Sequence, residues 1–270
     1  MTLEQLLEGT VIAIDKPRQW TSFQVVNKVK SVIRQTYGIK KFKIGHAGTL
    51  DPLATGLLLV CVGKATKRID ELQSGEKVYT GTMVLGATTP CYDLERAIDH
   101  YYPYQHITLE LIQEKLSHFT GSIEQVPPIF SAVKIDGQRA YVYAREAKMG
   151  DEIPSPTPKK VLVKEIVITD FRQGEKIEPL DLIAPTEALE NSGCQSHLYN
   201  HPQGIIPEHL PQIDFRICCG KGTYIRSLAR DIGLALDSGA FLASLRREKI
   251  GDYSINDAIS LESIQDYLAK

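Results

Sequence analysis

The segment GHAGTLDPLATG (45–56) contains one acidic side chain, Asp51, among small and apolar neighbours. An ionised carboxylate is seldom left among apolar groups without a partner. Pro52 stiffens the chain directly after Asp51, and Gly45, Gly48 and Gly56 allow unusual backbone conformations that leave room for a close-lying ligand. Such a carboxylate can act as a nucleophile or base if a cation keeps it ionised. From composition alone, a turn aspartate bonded to its own backbone is favoured.

Other chemical motifs are incomplete. The stretch GLLLVCVGKAT fails as a phosphate-binding loop, because six residues separate Gly56 from Gly63 and because Ala65 stands where Ser or Thr is required. This excludes a GTPase-like module, and the serine hydrolase motif G-x-S-x-G is absent. Zinc could be ligated by a C-x2-H-x3-H-x7-H series, namely Cys194, His197, His201 and His209. A polar loop with chance histidines is favoured, since no second cysteine pair supports the site.

Composition indicates a soluble protein. Of 270 residues, 43% are hydrophobic and 24% are charged, which is typical of globular domains. No apolar run approaches the roughly 20 residues of a membrane helix. The N-terminal segment MTLEQLLEGT is acidic where a signal peptide would be basic. Five scattered cysteines, an odd number, indicate reduced thiols, so we expect a cytoplasmic protein that makes no membrane contact.

The charge pattern leaves nucleic-acid binding open. A net charge of −2 argues mildly against a polyanionic partner, which usually requires a basic surface. Basic residues nevertheless cluster in four places: KKFK (40–43), KATKR (64–68), PKKVLVK (158–164) and RREK (246–249). An ordinary solvated surface would carry the same clusters.

The elements that must position Asp51 are a mixture of helices and strands. A helix begins at Thr21 or Ser22, carries an apolar stripe of valines and ends at Gly38. An Asp136-Gly137 turn leads into another helix. Further helices are predicted in TLELIQEKLSHFTG and GTYIRSLARDIGLAL, and strands in GTVIAIDKP, LLLVCVG, EKVYTGTMVLG, KKVLVKEIVITDF and IDFRICCG. Because helices and strands do not alternate regularly, the fold class is predicted to be α+β. Residues 172–212 lack periodicity and are predicted to be a flexible surface insertion.

Six blocks, in order, resemble the TruB family of tRNA pseudouridine synthases and cover nearly the whole chain apart from the insertion. They are DKPRQWTS (15–22), GHAGTLDPLATGLLLVCVGKATK (45–67), KVYTGTMVLG (77–86), QVPPIFSAVKIDGQRAY (125–141), GKGTYIRSLARDIG (220–233) and FLASLRR (241–247). The resemblance implies a single catalytic domain over 1–270 with a central, mainly antiparallel sheet flanked by helices. Bacterial members usually continue into an RNA-binding PUA domain, and we expect none here, because the chain stops at Lys270.

The resemblance also implies an activity: isomerisation of uridine-55 in the T-loop of tRNA to pseudouridine, after the base is flipped out. Asp51 matches the catalytic aspartate, Tyr79 the tyrosine that packs on the target base, and Arg226 the arginine that pairs with the aspartate. A plain strand tyrosine and a surface arginine are the alternatives for the last two. The loop ATTPCYDLE (87–95) departs from the family pattern but retains Asp93.

Four further positions match substrate-binding or supporting residues of the family. His46, Tyr224 and Leu245 match residues that line the nucleotide pocket, and Lys16 matches a lysine that supports the catalytic loop. Isomerisation requires no cofactor and no metal, so we expect neither. The expected partner is the T-arm of tRNA, and the chain is expected to be a monomer. The competing interpretation is an RNA-binding or tRNA-folding protein without chemistry, which an intact set of Asp51, Tyr79 and Arg226 disfavours.

Overall fold

The computed structural model describes residues 1–131, 133–146, 154–174 and 206–269. The helices in these ranges are α1 (Leu3–Gly9), α2 (Ser22–Tyr37), α3 (Ile69–Ser74), α4 (Leu109–Leu116), α5 (Ala140–Glu146), α6 (Ile225–Ala235) and α7 (Ile264–Ala269). The strands are β1 (Thr10–Lys16), β2 (Ile44–Ala47), β3 (Thr55–Val62), β4 (Lys77–Leu85), β5 (Ala87–Thr88), β6 (His100–Tyr101), β7 (Gly121–Gln125), β8 (Lys134–Ile135), β9 (Gln138–Arg139), β10 (Lys159–Arg172), β11 (Gln212–Cys219), β12 (Ala240–Ile250), β13 (Tyr253–Ser254) and β14 (Ile259–Ser260). Within the described residues, no helix has the length and apolar character that a membrane span requires.

The α+β prediction is confirmed, and most strand pairs with an assigned register are antiparallel. Strand β3 is antiparallel to β1 and β2, β7 to β10, and β12 to β13. Parallel pairing occurs between β1 and β14 and between β3 and β12. The chain divides into two compact units: unit 1 comprises 1–80, 218–221 and 245–270, and unit 2 comprises 81–217 and 222–244. The expected single catalytic domain over 1–270 stays a prediction.

Strand β3 is the centre of unit 1, where the strand order is β14-β1-β3-β12 and β2 also pairs with β3. Its alternate side chains enter two hydrophobic clusters. Leu58, Val60 and Val62 pack with the buried stripe of α2 and with α7, whereas Leu57, Leu59 and Cys61 join a second cluster. Because both faces are covered, β3 has a continuous apolar run instead of an alternating pattern.

Unit 2 is built on strands in the order β12-β4-β11-β10-β7, with β4, β11 and β12 also contributing residues to unit 1. Helix α6 is buried along one side, where Ile225, Leu228, Ala229 and Ile232 are almost inaccessible. The Asp136-Gly137 turn closes the β8–β9 hairpin before α5, as predicted.

The predicted insertion falls between the end of β10 and the start of β11. Positions 175–205, which include Cys194, His197 and His201, lie outside the described residues. His209 is described, and its buried Nε2 has no hydrogen-bond partner there. Its ring lies 6.1 Å from that of Tyr104. Among described residues, no group of His, Cys, Asp or Glu is arranged to hold a metal.

The predicted helices and longer strands are confirmed, whereas α1, α3, β2, β7 and β12 were not predicted as elements. Helix α2 begins after the cap Thr21 and ends at Gly38, which has a left-handed φ of 69°. Helix α1 has only seven residues and depends on a capping box between Thr2 and Gln5. Strand β12 contains Arg246 and Arg247, which obscure its pattern, because charged residues are rare at buried strand positions.

Gly56→Ala should destabilise the protein by about 3 kcal/mol or more, or prevent folding. Residue 56 has φ 99°, and a Cβ atom there would lie 2.4 Å from the carbonyl oxygen of Arg247 on β12, so backbone strain and overpacking add. The control is Gly38→Ala, because Gly38 has a similar left-handed φ and no atom within 4 Å of the added Cβ. That change should cost about 1–2 kcal/mol. Urea unfolding measures both, and equal losses would refute the steric argument.

Candidate active site

Asp51 lies on the loop between β2 and β3, and its neighbours are anchored to helix α2. The hydroxyl of Ser22 accepts a hydrogen bond from the Leu50 N–H at 2.9 Å and donates one to the Leu50 carbonyl at 3.2 Å. The Ala54 N–H donates to the Asp51 carbonyl at 3.2 Å and closes a turn. Leu50 and Ala54 are buried, while Asp51 is partly exposed. The loop therefore presents the carboxylate from an immobilised backbone.

Lys16, the last residue of β1, supports the same loop. Its side chain is 0% exposed, and its ammonium donates to the carbonyls of Pro17 at 3.0 Å, Trp20 at 2.6 Å and Pro52 at 3.2 Å. Burial lowers the pKa of Lys16 from 10.5 to about 8, while the nearby Asp51 carboxylate opposes that change. Lys16 therefore places a buried cation beside Asp51 and ties down Pro52.

Arg247 is a site residue that sequence analysis missed. The RREK cluster was expected on the surface, but Arg247 is 1% exposed and donates to the carbonyls of Leu57 at 2.8 Å, Gly48 at 2.9 Å and Thr49 at 3.4 Å. The preceding residue, Arg246, forms a bidentate pair with Asp15 at 3.0 and 2.8 Å. The surface expectation is therefore wrong for Arg247. The only sequence signal was its membership of the FLASLRR block.

The space that the glycines leave is occupied by the protein itself. A Cβ on Gly56 would meet the Arg247 backbone, one on Gly48 would meet its guanidinium at 3.4 Å, and one on Gly45 would meet the Ile69 side chain at 2.9 Å. The expectation that these glycines make room for a ligand is therefore wrong at Gly45 and Gly56, whereas the contact at Gly48 would be an ordinary one. They permit close packing of β12 and α3 against the loop.

Tyr79 lies on β4 and shares unit 1 with Asp51. It is 8% exposed, and burial raises the pKa of its hydroxyl. Arg247 lowers that pKa through its charge and through a side-chain hydrogen bond, whereas the Asp51 carboxylate raises it. Both groups must be within electrostatic reach of the phenol. The structure thus brings Asp51, Tyr79, Lys16 and Arg247 together in unit 1.

His46 and Leu245 lie on the strands that flank the loop. His46 is on β2 and partly buried, and its Nδ1 is buried with no hydrogen-bond partner in the described part of the chain. Burial, and then the charge of Arg247, lower the pKa of His46, while a hydrogen bond to the Gly48 backbone opposes the change. Both effects therefore favour the neutral form of the ring. Leu245 is partly buried on β12, two residues before Arg247.

Tyr224 and Arg226 are held in unit 2, at the start of α6. The side chain of Gln125 accepts from the Tyr224 N–H at 2.8 Å and donates to its carbonyl at 3.1 Å. Arg226 is 4% exposed, so the surface-arginine alternative is wrong. Its guanidinium donates to the carbonyls of Cys91 and Phe130 and lies 3.6 Å from Asp93. The pairing of Arg226 with Asp51 stays a prediction.

Two further basic clusters remain on the surface. Lys40, Lys41 and Lys43 of the KKFK cluster are exposed after α2, and Lys159, Lys160 and Lys164 are exposed on β10. In the KATKR cluster, Lys64 pairs with Glu8 at 2.7 Å and Arg68 with Glu71 at 3.1 Å. An exposed lysine can contact a phosphate, and Lys40, Lys41 and Lys43 lie within four residues of one another.

Comparisons with known proteins agree on one family. A protein-family model described as TruB family pseudouridylate synthase (N terminal domain) matches residues 34–180. A second family model, described as tRNA pseudouridylate synthase B C-terminal domain, matches residues 226–270. The tRNA pseudouridine synthase B of Flavobacterium johnsoniae is 48% identical over 269 residues, covering 99% of this chain and 100% of the relative. That of Phocaeicola vulgatus is 46% identical over 261 residues, covering 97% and 94%. Among solved structures, a Cbf5-Nop10-Gar1 complex contains a chain with TM-score 0.63 and 25% identity, covering 99% of this chain and 57% of that one.

The buried state of Lys16 predicts a pH dependence of stability. The folded-state pKa of about 8 lies below the ordinary 10.5, so between these values the unfolded chain binds the proton that the folded chain has lost. Stability contributed by this group therefore rises with pH across that window. We expect the unfolding free energy of the wild type minus that of Lys16→Met to increase from pH 8 to 10.5 in urea titrations. Lys28→Met, at an exposed position of α2, should give a difference that stays flat. A Lys16 difference that fell with pH would contradict this assignment.

Proposed function

The chain belongs to the TruB family of tRNA pseudouridine synthases, and we propose that its substrate is the uridine at position 55 in the T-loop of tRNA. The protein is an enzyme that isomerises uridine to pseudouridine in tRNA. The observation that carries the proposal is the Asp51 loop. A carboxylate on an immobilised backbone, beside a buried ammonium and within reach of a buried tyrosine, supports a reactive role better than a turn-forming one.

The reaction rearranges one nucleotide without adding atoms. The bond from C1′ to N1 of uracil breaks, a bond from C1′ to C5 forms, C5 loses a proton and N1 gains one. The base cannot rotate inside a folded RNA loop, so we propose that it is flipped into the protein. Asp51 then reacts with the nucleotide, and three first steps are open to a carboxylate: attack on the base, attack on the sugar, or removal of a sugar proton.

The other site residues receive roles that fit their surroundings. Tyr79 offers an aromatic face to the uracil and a hydroxyl for proton transfer. His46 and Leu245 contribute to the nucleotide pocket. Arg226 is the proposed partner of the Asp51 carboxylate, because a buried guanidinium can bind a carboxylate through two hydrogen bonds and keep it ionised.

We propose that recognition is confined to the T-arm and relies on its shape and on few phosphates. The exposed lysines of the KKFK cluster are the proposed phosphate contacts. We also propose that the protein acts as a monomer in the cytoplasm. Light scattering of the purified protein, with and without tRNA, measures the first property, and fractionation of cells measures the second.

Asp51→Asn should abolish pseudouridine formation while leaving the fold and tRNA binding intact. Asparagine has nearly the same shape but cannot act as a nucleophile or base. The assay is turnover of unmodified tRNA transcript, with pseudouridine mapped by position. The control Asp252→Asn removes an exposed carboxylate of unit 1 and should leave turnover unchanged. Substantial turnover by Asp51→Asn would exclude Asp51 as the reactive group.

The same assay locates the target. An isolated T-arm hairpin should be modified, and a transcript with cytidine in place of uridine-55 should give no product. Pseudouridine at another position, or an inert hairpin, would overturn the proposed specificity while leaving the catalytic role of Asp51 intact.

Tyr79→Phe and Arg226→Lys should impair chemistry more than binding. Phenylalanine keeps the stacking face and loses the hydroxyl, so we expect kcat to fall by about 100-fold or more with nearly unchanged affinity for tRNA. Lysine keeps the charge but loses the bidentate geometry. The control Arg172→Lys disturbs an exposed arginine that pairs with Asp214 and should keep wild-type kcat. Weakened RNA affinity as the only effect of both changes would show that the roles are wrong.

A further inference from the structure

The side chain of Arg247 is among the largest fully buried side chains of the protein. Its guanidinium contacts both ends of the loop that carries Asp51. NH1 and NH2 donate to the carbonyls of Thr49 and Gly48, before Asp51, and Nε donates to the carbonyl of Leu57, after it. One planar group therefore bridges the segment that leads into the loop and the segment that leads out of it.

The backbone of β12 fixes the position from which this guanidinium reaches the loop. Strand β12 runs parallel to β3, with Arg247 opposite Gly56. The added Cβ at Gly56 would lie 2.8 Å from the Arg247 nitrogen and 2.4 Å from its carbonyl oxygen. This approach is possible only because residue 56 is a glycine. The pairing of β12 with β3 therefore fixes the Arg247 backbone, while the loop carbonyls fix its guanidinium.

The electrostatics of Arg247 are unusual for a structural arginine. Within the described residues, no carboxylate lies at ion-pair distance from it, and its hydrogen bonds go to neutral carbonyls. Burial of a cation without a paired anion is costly. Burial has the largest effect on the pKa of Tyr79, His46 and Lys16, and the charge of Arg247 lowers the pKa of each. The cation therefore favours negative charge at the centre of unit 1.

We propose that Arg247 is a positioning residue for the isomerisation, which holds the loop of Asp51 in one fixed arrangement. This inference rests on the proposed function, in which Asp51 reacts with the nucleotide. Arginine suits the task because its donors lie in a rigid plane and point in different directions, whereas the ammonium of lysine is a compact point charge. The carbonyls of Gly48, Thr49 and Leu57 require such a fork.

The test compares Arg247→Met and Arg247→Lys by steady-state kinetics on unmodified tRNA, normalised to the folded fraction. We expect kcat to fall by about 100-fold or more for Arg247→Met with KM within about threefold, because a displacement of about 1 Å at a reacting group has an effect of this size. Arg247→Lys keeps the charge and should retain more kcat than Arg247→Met. If Arg247→Met does not fold, Arg247→Lys alone decides, with an expected loss of about tenfold or more in kcat.

The matched control is Tyr37→Phe. The Tyr37 hydroxyl donates to the carbonyls of Met1 and Leu268 in the same unit, so its loss weakens the fold without touching the Asp51 loop. This variant should keep wild-type kcat per folded molecule. A loss in the Arg247 variants that matched only their unfolded fraction, or that appeared only in KM, would overturn the inference. Asp51→Asn, measured in parallel, separates the two proposals: if it remains active, the proposed function fails, whereas a dead Asp51→Asn with active Arg247 variants refutes only the role of Arg247.

Discussion

The structure of unit 1 depends on hydrogen bonds from two buried cations to backbone carbonyls of one loop. Lys16 binds the carbonyl of Pro52, and Arg247 binds those of Gly48, Thr49 and Leu57. A buried charge is stabilised only when its donors are satisfied. Movement of these carbonyls would leave a buried cation without hydrogen-bond acceptors, which is costly. The loop in return has no freedom to withdraw Asp51. The hydrogen bonds that stabilise the two buried cations therefore also fix the position of the Asp51 loop.

The loop can be held in this way because β3 is rigid. Both of its faces are covered by apolar clusters, and β1, β2 and β12 all pair with it. Since backbone groups inside such a sheet have no alternative partners, the strand ends cannot move without breaking the ladder. Gly56 then admits the backbone of β12 at a distance that any side chain would prevent. The close packing of β12 against Gly56 of β3 therefore also fixes the position of Arg247.

The same arrangement explains the chemistry that the site supports. The Asp51 carboxylate lies beside the buried ammonium of Lys16, with the buried side chains of Tyr79 and Arg247 near it. In unit 2, Gln125 fixes the backbone of Tyr224, and three groups around Arg226 fix its guanidinium. The Asp51 loop and the backbone of Tyr224 are thus held by groups outside the proposed reaction, an arrangement that suits catalysis by pre-organised groups.

The sequence by itself determined the α+β class, most elements and the candidate residues Asp51, Tyr79 and Arg226, because helix caps, apolar stripes and family motifs are local patterns. The tertiary structure alone decided the burial and the hydrogen bonds of Arg247, since nothing in RREK separates a buried arginine from an exposed one. It also decided that the glycines around Asp51 admit β12 and α3, and that Asp93 lies beside Arg226. Burial and hydrogen-bond partners depend on residues almost 200 positions apart, such as Gly48 and Arg247, and no local pattern encodes a contact between segments that only the folded sheet brings together.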